Sequence, residues 1–154
     1  MLPNLCGAAL GALLLAATPA LSQPAPAIEI ERPWARPTAP RQSVGAAYMQ
    51  LRSPGGDRLL GASSPVAARV EVHETQMEGD VMRMRGREVL DLPPGKVVTL
   101  APGGLHFMLI GLAAPLAAGQ RVPLALRFEQ GGERQVEVVV GGSEGVGAPA
   151  GAAH

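Results

Sequence analysis

The chain has 154 residues, with 13 basic and 13 acidic side chains and no block of like charge. This length suits one domain with a sizeable core, and the balanced charge offers no basic surface for a polyanion, so nucleic acid is excluded as a partner. The 20 glycines and 15 prolines predict frequent turns and exclude long helices beyond the N-terminus.

The first segment of the chain is uncharged. Residues 1–22 contain an apolar run from Leu10 to Ala17 and end in a small-x-small pattern. This is typical of a secretory signal peptide, although no basic residue precedes the apolar run. We expect cleavage after residue 22, or as late as residue 27, and a periplasmic location. An uncleaved anchor is disfavoured because the apolar run is short for a span. We therefore expect no stable membrane insertion after cleavage.

The single cysteine, Cys6, lies inside this segment. Lipid attachment to Cys6 is disfavoured because the preceding Pro-Asn-Leu lacks the small residue expected just before a lipidated cysteine. If the signal is removed, the mature protein has no thiol. A blue-copper electron-transfer centre is then excluded, because it needs a cysteine thiolate.

Short alternating runs between Gly- and Pro-rich turns predict ten strands. In chain order they are 28–30, 46–52, 59–63, 70–76, 81–85, 88–92, 96–100, 105–110, 122–128 and 135–140. Many short strands at this spacing predict an all-β fold, an antiparallel sandwich or barrel. Pro123 indicates an edge or a bulge within its strand. The Gly- and Ala-rich segment 141–154 is expected to be a disordered tail, which leaves 28–140 as the folded domain.

His73 and Met84 are expected to face each other across a hairpin. If Glu78-Gly79 is a two-residue loop, Met77 pairs with Asp80, and counting back places His73 directly opposite Met84. Directly opposed residues have Cβ atoms about 5 Å apart and share a face. In this interpretation, only an odd-length loop or a bulge would break the pairing.

His106 and Met108 are expected to form a second pair on one strand. They are two residues apart, so both side chains leave the same face of the strand. Alternation directs their neighbours into the core: Leu105, Phe107 and Leu109. Periodicity leaves open whether this strand meets the hairpin that carries His73 and Met84.

The four side chains His73, Met84, His106 and Met108 form a donor set suited to monovalent copper. Thioether sulfur is a soft donor and imidazole a borderline one, so this set suits Cu(I) far better than zinc, magnesium or calcium. If the four side chains converge, the protein carries Cu(I).

Three further side chains share the faces of these candidates. Met77 and Met82 could be substitute ligands or transfer intermediates, although an exposed or half-packed thioether is the more common role. Glu71 could accept the second ring proton of His73, although a lone acid on a strand is more often simply solvated.

The spacing H-x10-M-x21-H-x-M lies within EVHETQMEGDVMRMRGREVLDLPPGKVVTLAPGGLHFMLIGL and resembles the periplasmic copper chaperones of the PCu(A)C type. The flanking segments PWARPTAPRQSVGAAYMQL and GLAAPLAAGQRVPLALRFEQGG are similar to the same family, so the resemblance covers roughly residues 28–140. It implies a cupredoxin-like antiparallel β-sandwich or Greek-key barrel. It also implies one Cu(I), held by His73, Met84, His106 and Met108.

The resemblance further implies delivery of copper to the dinuclear centre of cytochrome c oxidase, through the apo copper subunit and beside a thiol-bearing copper chaperone. Some members hold a second copper in a His- or Met-rich C-terminal extension, but this tail has only His154. The sequence has no nucleophile elbow and no nucleotide-binding loop, so we expect a carrier and not an enzyme. The alternatives are a copper buffer or resistance protein without a dedicated target and, more distantly, a metal-free structural β-sandwich.

Overall fold

The computed structural model describes residues 19–21 and 26–141, and all of its regular structure is strand. Each strand predicted from the sequence is present, which confirms the all-β fold. The strands are β1 (Glu29–Ala35), β2 (Val44–Arg52), β3 (Asp57–Ser63), β4 (Ala67–Glu78), β5 (Val81–Arg87), β6 (Leu90–Leu92), β7 (Val97–Leu100), β8 (Leu105–Leu112), β9 (Arg121–Phe128) and β10 (Gly132–Val140).

The two ends of the chain are described only in small part. Apart from residues 19–21 and 141, the predicted signal peptide with Cys6 and the predicted tail lie outside the described residues. Within the described ranges, no helix has the length and apolar character needed to cross a membrane.

Seven strands close into a barrel in the order β4-β8-β2-β1-β10-β9-β3, and β3 pairs again with β4. The closing seam is narrow, with the single pair Ala62↔Val70. Strands β5, β6 and β7 extend the sheet from β4, β3 and β2. All pairings are antiparallel except β1 with β10, which run parallel. A parallel pair is possible there because these strands are the first and last of the domain and no hairpin joins them.

Apolar side chains at alternate positions fill the barrel. On β8, Phe107 and Leu109 are buried, and Met49 on β2 is a core residue. Burying one such side chain contributes about 1.5–3 kcal/mol to the free energy of unfolding. Because strand side chains alternate, the residues between these core positions on β4, β8 and β2 point outward from the barrel wall.

Pro123 lies in the part of β9 that no longer pairs with β3, which confirms the expected edge position. The ladder between β3 and β9 reaches Ser63↔Ala125 and stops before Pro123. Beyond it, the Ser64 hydroxyl donates a hydrogen bond of 2.7 Å to the Pro123 carbonyl. A proline without an N–H is tolerated at this position because β3 offers it no further ladder acceptor.

Candidate metal centre

The hairpin between β4 and β5 turns one residue later than predicted. Glu78 pairs with Val81, so the two-residue loop is Gly79-Asp80. Gly79 has a φ of 65°, and a hairpin loop with positive φ at its first position favours glycine there. Glu78 therefore remains in the strand, where its carboxylate pairs with Arg83 and Arg85.

This later turn moves the register by two residues. His73 lies opposite Gly86, and Met84 lies opposite Thr75. The predicted direct pairing of His73 with Met84 is wrong, and so is the expectation that only an odd loop or a bulge could break it. Because the shift is even, His73 and Met84 still share a face as diagonal neighbours, with Cα atoms about 7–8 Å apart.

Strand β8 lies directly beside β4 and brings the second pair to the first. His73 is paired with His106, and the centroids of the two rings are 6.1 Å apart. Met108 is paired with Glu71 on β4 and with Ala46 on β2. The four predicted donors therefore lie on one outward face across β5, β4 and β8, a neighbourhood that periodicity left open.

Two aromatic residues outside the predicted donor set continue this face. Trp34 on β1 pairs with Tyr48 on β2, with ring centroids 4.5 Å apart, and the Tyr48 ring lies 6.5 Å from that of His106. Burial raises the pKa of the Tyr48 phenol, and the nearby Arg36 guanidinium opposes that shift. Trp34, Tyr48, His106 and His73 thus form a row of four rings across adjacent strands. Seeing this row requires the β1–β2 and β2–β8 registers, which the sequence does not give.

The His106 ring is buried and oriented by the backbone. Its exposure is 6%, and Nδ1 lies 3.0 Å from the Gly104 carbonyl oxygen. A carbonyl can only accept a hydrogen bond, so Nδ1 carries the proton and Nε2 presents a lone pair. This arrangement leaves Nε2 as the nitrogen of His106 that can bind a metal.

The His73 ring is oriented by Glu71. Its Nε2 lies 2.9 Å from Glu71 Oε2, so Glu71 is engaged, and the expectation of a simply solvated acid is wrong. This hydrogen bond is the main cause of the lowered pKa of Glu71, to which the charge of Arg69 also contributes. The ionised carboxylate accepts a hydrogen bond from Nε2–H, and Nδ1 is left with a free lone pair.

That Nδ1 of His73 is buried and has no hydrogen-bond partner among the residues the structure describes. Leaving a buried polar atom unsatisfied costs about 1–3 kcal/mol. A metal ion with an affinity for imidazole would satisfy this lone pair. Orphaned Nδ1 is therefore the strongest structural sign of a ligand at this position.

Thioethers complete the surroundings of the two imidazoles. Met84, 53% exposed, lies with Met108 and His106 along an open groove of about 520 Å³. His73 is not part of the groove lining, and its side chain is 17% exposed. Within 19–21 and 26–141, no group of three or more His, Cys, Asp or Glu side chains could hold a metal ion. The imidazole nitrogens and thioether sulfurs of this face are borderline and soft donors, the kinds that Cu(I) prefers.

Family membership is shown by sequence comparison. Residues 28–140 match a family model described as "Putative lipoprotein LpqE-like". The chain belongs to the LpqE-like family. A curated relative, "Putative lipoprotein Lxx21020" of Leifsonia xyli subsp. xyli, is 33% identical over 116 residues, which is 73% of this LpqE-like chain and 69% of that protein.

Solved structures similar to this LpqE-like chain include copper-binding domains. The copper-bound PCuAC domain from PmoF2 has a TM-score of 0.65 and 27% identity, over 78% of this chain and 97% of that one. The solution structure of CuI-DR1885 from Deinococcus radiodurans has a TM-score of 0.56 and 28% identity, over 79% and 81%. These neighbours confirm the resemblance to the PCu(A)C type that the ligand spacing indicated.

Proposed function

We propose that this LpqE-like protein is a Cu(I) metallochaperone whose ligands are His73, Met84, His106 and Met108. The observation that carries the proposal is the orphaned Nδ1 of His73, which lies beside a second oriented imidazole and two thioethers. The copper-bound PmoF2 domain and CuI-DR1885 share the fold, which supports copper as the cargo.

The donor geometry suits binding followed by release. His73 would contribute Nδ1 and His106 would contribute Nε2, and both rings are held by hydrogen bonds to their other nitrogen. The thioethers are weaker donors, and Met84 is half exposed on the edge strand β5. Thiolates of a target protein are better donors for Cu(I), so they would replace the thioethers stepwise.

We further propose that the target is the dinuclear copper centre of cytochrome c oxidase, reached through its apo copper subunit and beside a thiol-bearing copper chaperone. This target comes from the family resemblance of the ligand spacing. A copper buffer or resistance protein would have the same site and no dedicated acceptor, so transfer distinguishes the two.

We place the protein outside the cytoplasm, in the periplasm. Support comes from the signal-like segment 1–22 and from the lipoprotein names of the family and the Leifsonia relative. Lipid attachment at Cys6, an uncleaved anchor and cleavage after residue 22 predict different N-termini. Intact-mass measurement of the exported protein separates them.

An anaerobic titration against a Cu(I) chelator tests the site. We expect one tightly bound Cu(I) per chain, lost in His106→Ala and strongly weakened in Met84→Leu. His154→Ala is the matched histidine control and should bind as the wild type does. Unchanged binding by His106→Ala would overturn the ligand set.

Delivery is tested by mixing the Cu(I)-loaded protein anaerobically with an apo dinuclear-copper domain of cytochrome c oxidase. We expect copper to move to the oxidase domain, as judged by metal analysis after separation of the two proteins. If no copper moves over hours, the chaperone proposal fails and the buffer alternative is favoured.

A further inference from the structure

We propose that Met77 and Met82 form a second, weaker Cu(I) site at the tip of the β4–β5 hairpin, through which copper enters and leaves the four-donor site. This inference rests on the proposed function, because it assigns the route by which the cargo reaches His73, Met84, His106 and Met108.

The observed register creates a pair of thioethers that the predicted register did not contain. Met77 lies directly opposite Met82, whereas the prediction placed Met77 opposite Asp80. Directly opposed residues have Cβ atoms about 4.5–5.5 Å apart on one face. Two flexible thioethers at that separation can converge on one metal ion, and both share the face of Met84 and His73.

Core packing does not explain these methionines. Met77 is 61% exposed and Met82 is 67% exposed, so neither fills a gap in the barrel, which is the usual role of methionine. Together with Met84 they place three thioethers side by side on the solvent face of an edge hairpin. Exposed sulfur in this arrangement needs a reason other than packing.

The charged side chains next to the methionine pair in sequence are directed to the other face of the hairpin. On β5, Arg83 and Arg85 alternate with Met82 and Met84, and both arginines pair with Glu78. The nearest carboxylate on β4 is thereby engaged by cations on the face opposite the methionines. The methionine pair thus offers thioether sulfur to a metal, and sulfur without oxygen donors selects soft ions such as Cu(I) or Ag(I).

The pair also leads toward the four-donor site. Met82 lines the same groove as Met84, His106 and Met108. Residues two apart on a strand are separated by about 7 Å, so the step from Met82 to Met84 is short. With two donors the tip site binds more weakly than the four-donor site, and copper therefore moves inward along the hairpin.

The test uses Met77→Leu/Met82→Leu, because leucine keeps the volume and the apolar character but removes the sulfur. Wild-type protein with 13C-methyl-labelled methionine is titrated with Ag(I), a redox-stable probe. We expect the first equivalent to shift the Met84 and Met108 methyl signals and the second, weaker equivalent to shift those of Met77 and Met82. The leucine variant should keep the first equivalent and lose the second.

A stopped-flow measurement of Cu(I) capture from a chelator tests the route. We expect capture by the double leucine variant to be about tenfold slower at unchanged first-equivalent affinity, a rise of about 1.4 kcal/mol in the barrier. Val81→Thr changes an exposed apolar residue of the same turn that faces the other way, and it should capture at the wild-type rate.

Each contrary outcome is separable from failure of the four-donor site. Wild-type capture and a retained second equivalent in the double leucine variant would overturn the inference. The inference would also be overturned if Met77→Gln/Met82→Gln transferred copper slowly while the double leucine variant behaved as the wild type does. That result would mark the two positions as an apolar docking surface. If the methyl signals of Met84 and Met108 never shift while those of Met77 and Met82 do, the proposed function fails and the tip site stands.

Discussion

Glu71 sets the coordination chemistry available to His73. Its carboxylate accepts a hydrogen bond from Nε2–H and is itself held by Arg69, with Nε of Arg69 2.8 Å from Glu71 Oε1. Without this acceptor, the ring could place its proton on either nitrogen and rotate. The chain Arg69–Glu71–His73 therefore orients the ring so that Nδ1 faces the proposed copper site, as hydrogen-bonded partners of metal-bound histidines commonly do.

We predict that Glu71→Ala weakens Cu(I) binding by about 10–100-fold, the usual effect of removing such a partner. The measurement is anaerobic competition with a Cu(I) chelator. Glu71→Gln should recover part of the affinity, because its amide oxygen can still accept a hydrogen bond from the ring N–H. Glu137→Ala removes a different exposed ion pair, with Arg121, and serves as the control. Wild-type affinity in Glu71→Ala would show that Glu71 does not position His73.

Residue types and faces could be predicted at this scale, but ring orientation could not. The alternation of β4 placed Glu71 and His73 on one face, which made their hydrogen bond possible. Whether the acid meets the ring or the solvent depends on side-chain rotamers and on Arg69, about which periodicity carries no information.

Among the elements, the β4–β8 pair matters most because it joins the two histidines. Gly111 on β8 has a φ of 71°, and a Cβ built on it would lie 2.7 Å from the Ala68 Cβ. A side chain at this position would be strained by its backbone conformation and would also collide with β4. Glycine at residue 111 therefore allows β8 to lie close enough for His106 to pair with His73.

A series of glycine-to-alanine substitutions tests this view. Gly111→Ala should lower the free energy of unfolding by about 2–4 kcal/mol, because strain and collision add. Gly79→Ala, with positive φ but nothing within 4 Å, should lose about 1–2 kcal/mol. Gly55→Ala has neither penalty and is the control. Urea unfolding measures all three, and equal losses at Gly79 and Gly111 would contradict the predicted contact with Ala68.

The hairpin shows why strands are easier to predict than registers. Turn residues located the reversal to within one residue, and alternation located the faces. Because the residue with positive φ, Gly79, is the first loop residue and not the second, the loop lies one residue later than predicted. The partner of each strand residue therefore shifts by two, so that Gly86 and not Met84 lies opposite His73. A glycine next to an acid is compatible with either loop, so the sequence pattern could not choose between them.

Across the whole molecule, Asp57 helps to close the barrel. Its buried carboxylate accepts backbone hydrogen bonds from Arg58, Gln130 and Gly131, at 2.7, 3.0 and 2.8 Å. These bonds tie the start of β3 to the turn between β9 and β10. Since β3 meets β4 through a single residue pair, these bonds add to the β3–β9 ladder in holding β3 in place.

We predict that Asp57→Ala lowers the free energy of unfolding by about 3 kcal/mol, because buried N–H groups lose a charged acceptor. Asp91→Ala removes only an exposed ion pair with Arg58 and should cost less than about 1 kcal/mol. Urea unfolding measures both. Below the unfolding transition, Asp57→Ala should still bind one Cu(I), since the proposed donors lie on β5, β4 and β8. Loss of copper binding in the folded variant would contradict this separation.

The ten strands in the described part of the chain followed from the sequence, but the way they close into a barrel did not. Short apolar runs and turn residues are local signals, and they predicted every strand. Placing β8 between β4 and β2, or β1 parallel to β10, requires pairing between residues far apart in the chain. Such pairing depends on how side chains from all the strands pack together inside the barrel. The sequence of a single strand does not contain that information.

The row of rings from Trp34 to His73 gives the chain an optical property. Trp34 is the only tryptophan, and its indole is connected through Tyr48 to the imidazole of His106. Indole emission responds to nearby charge, so a cation bound at His106 should change the fluorescence. Trp34→Phe should abolish that signal without altering copper stoichiometry. In the wild-type protein, the Trp34 fluorescence would therefore report copper loading in real time without a label. An acceptor without this row of rings would not give this fluorescence change when it binds copper.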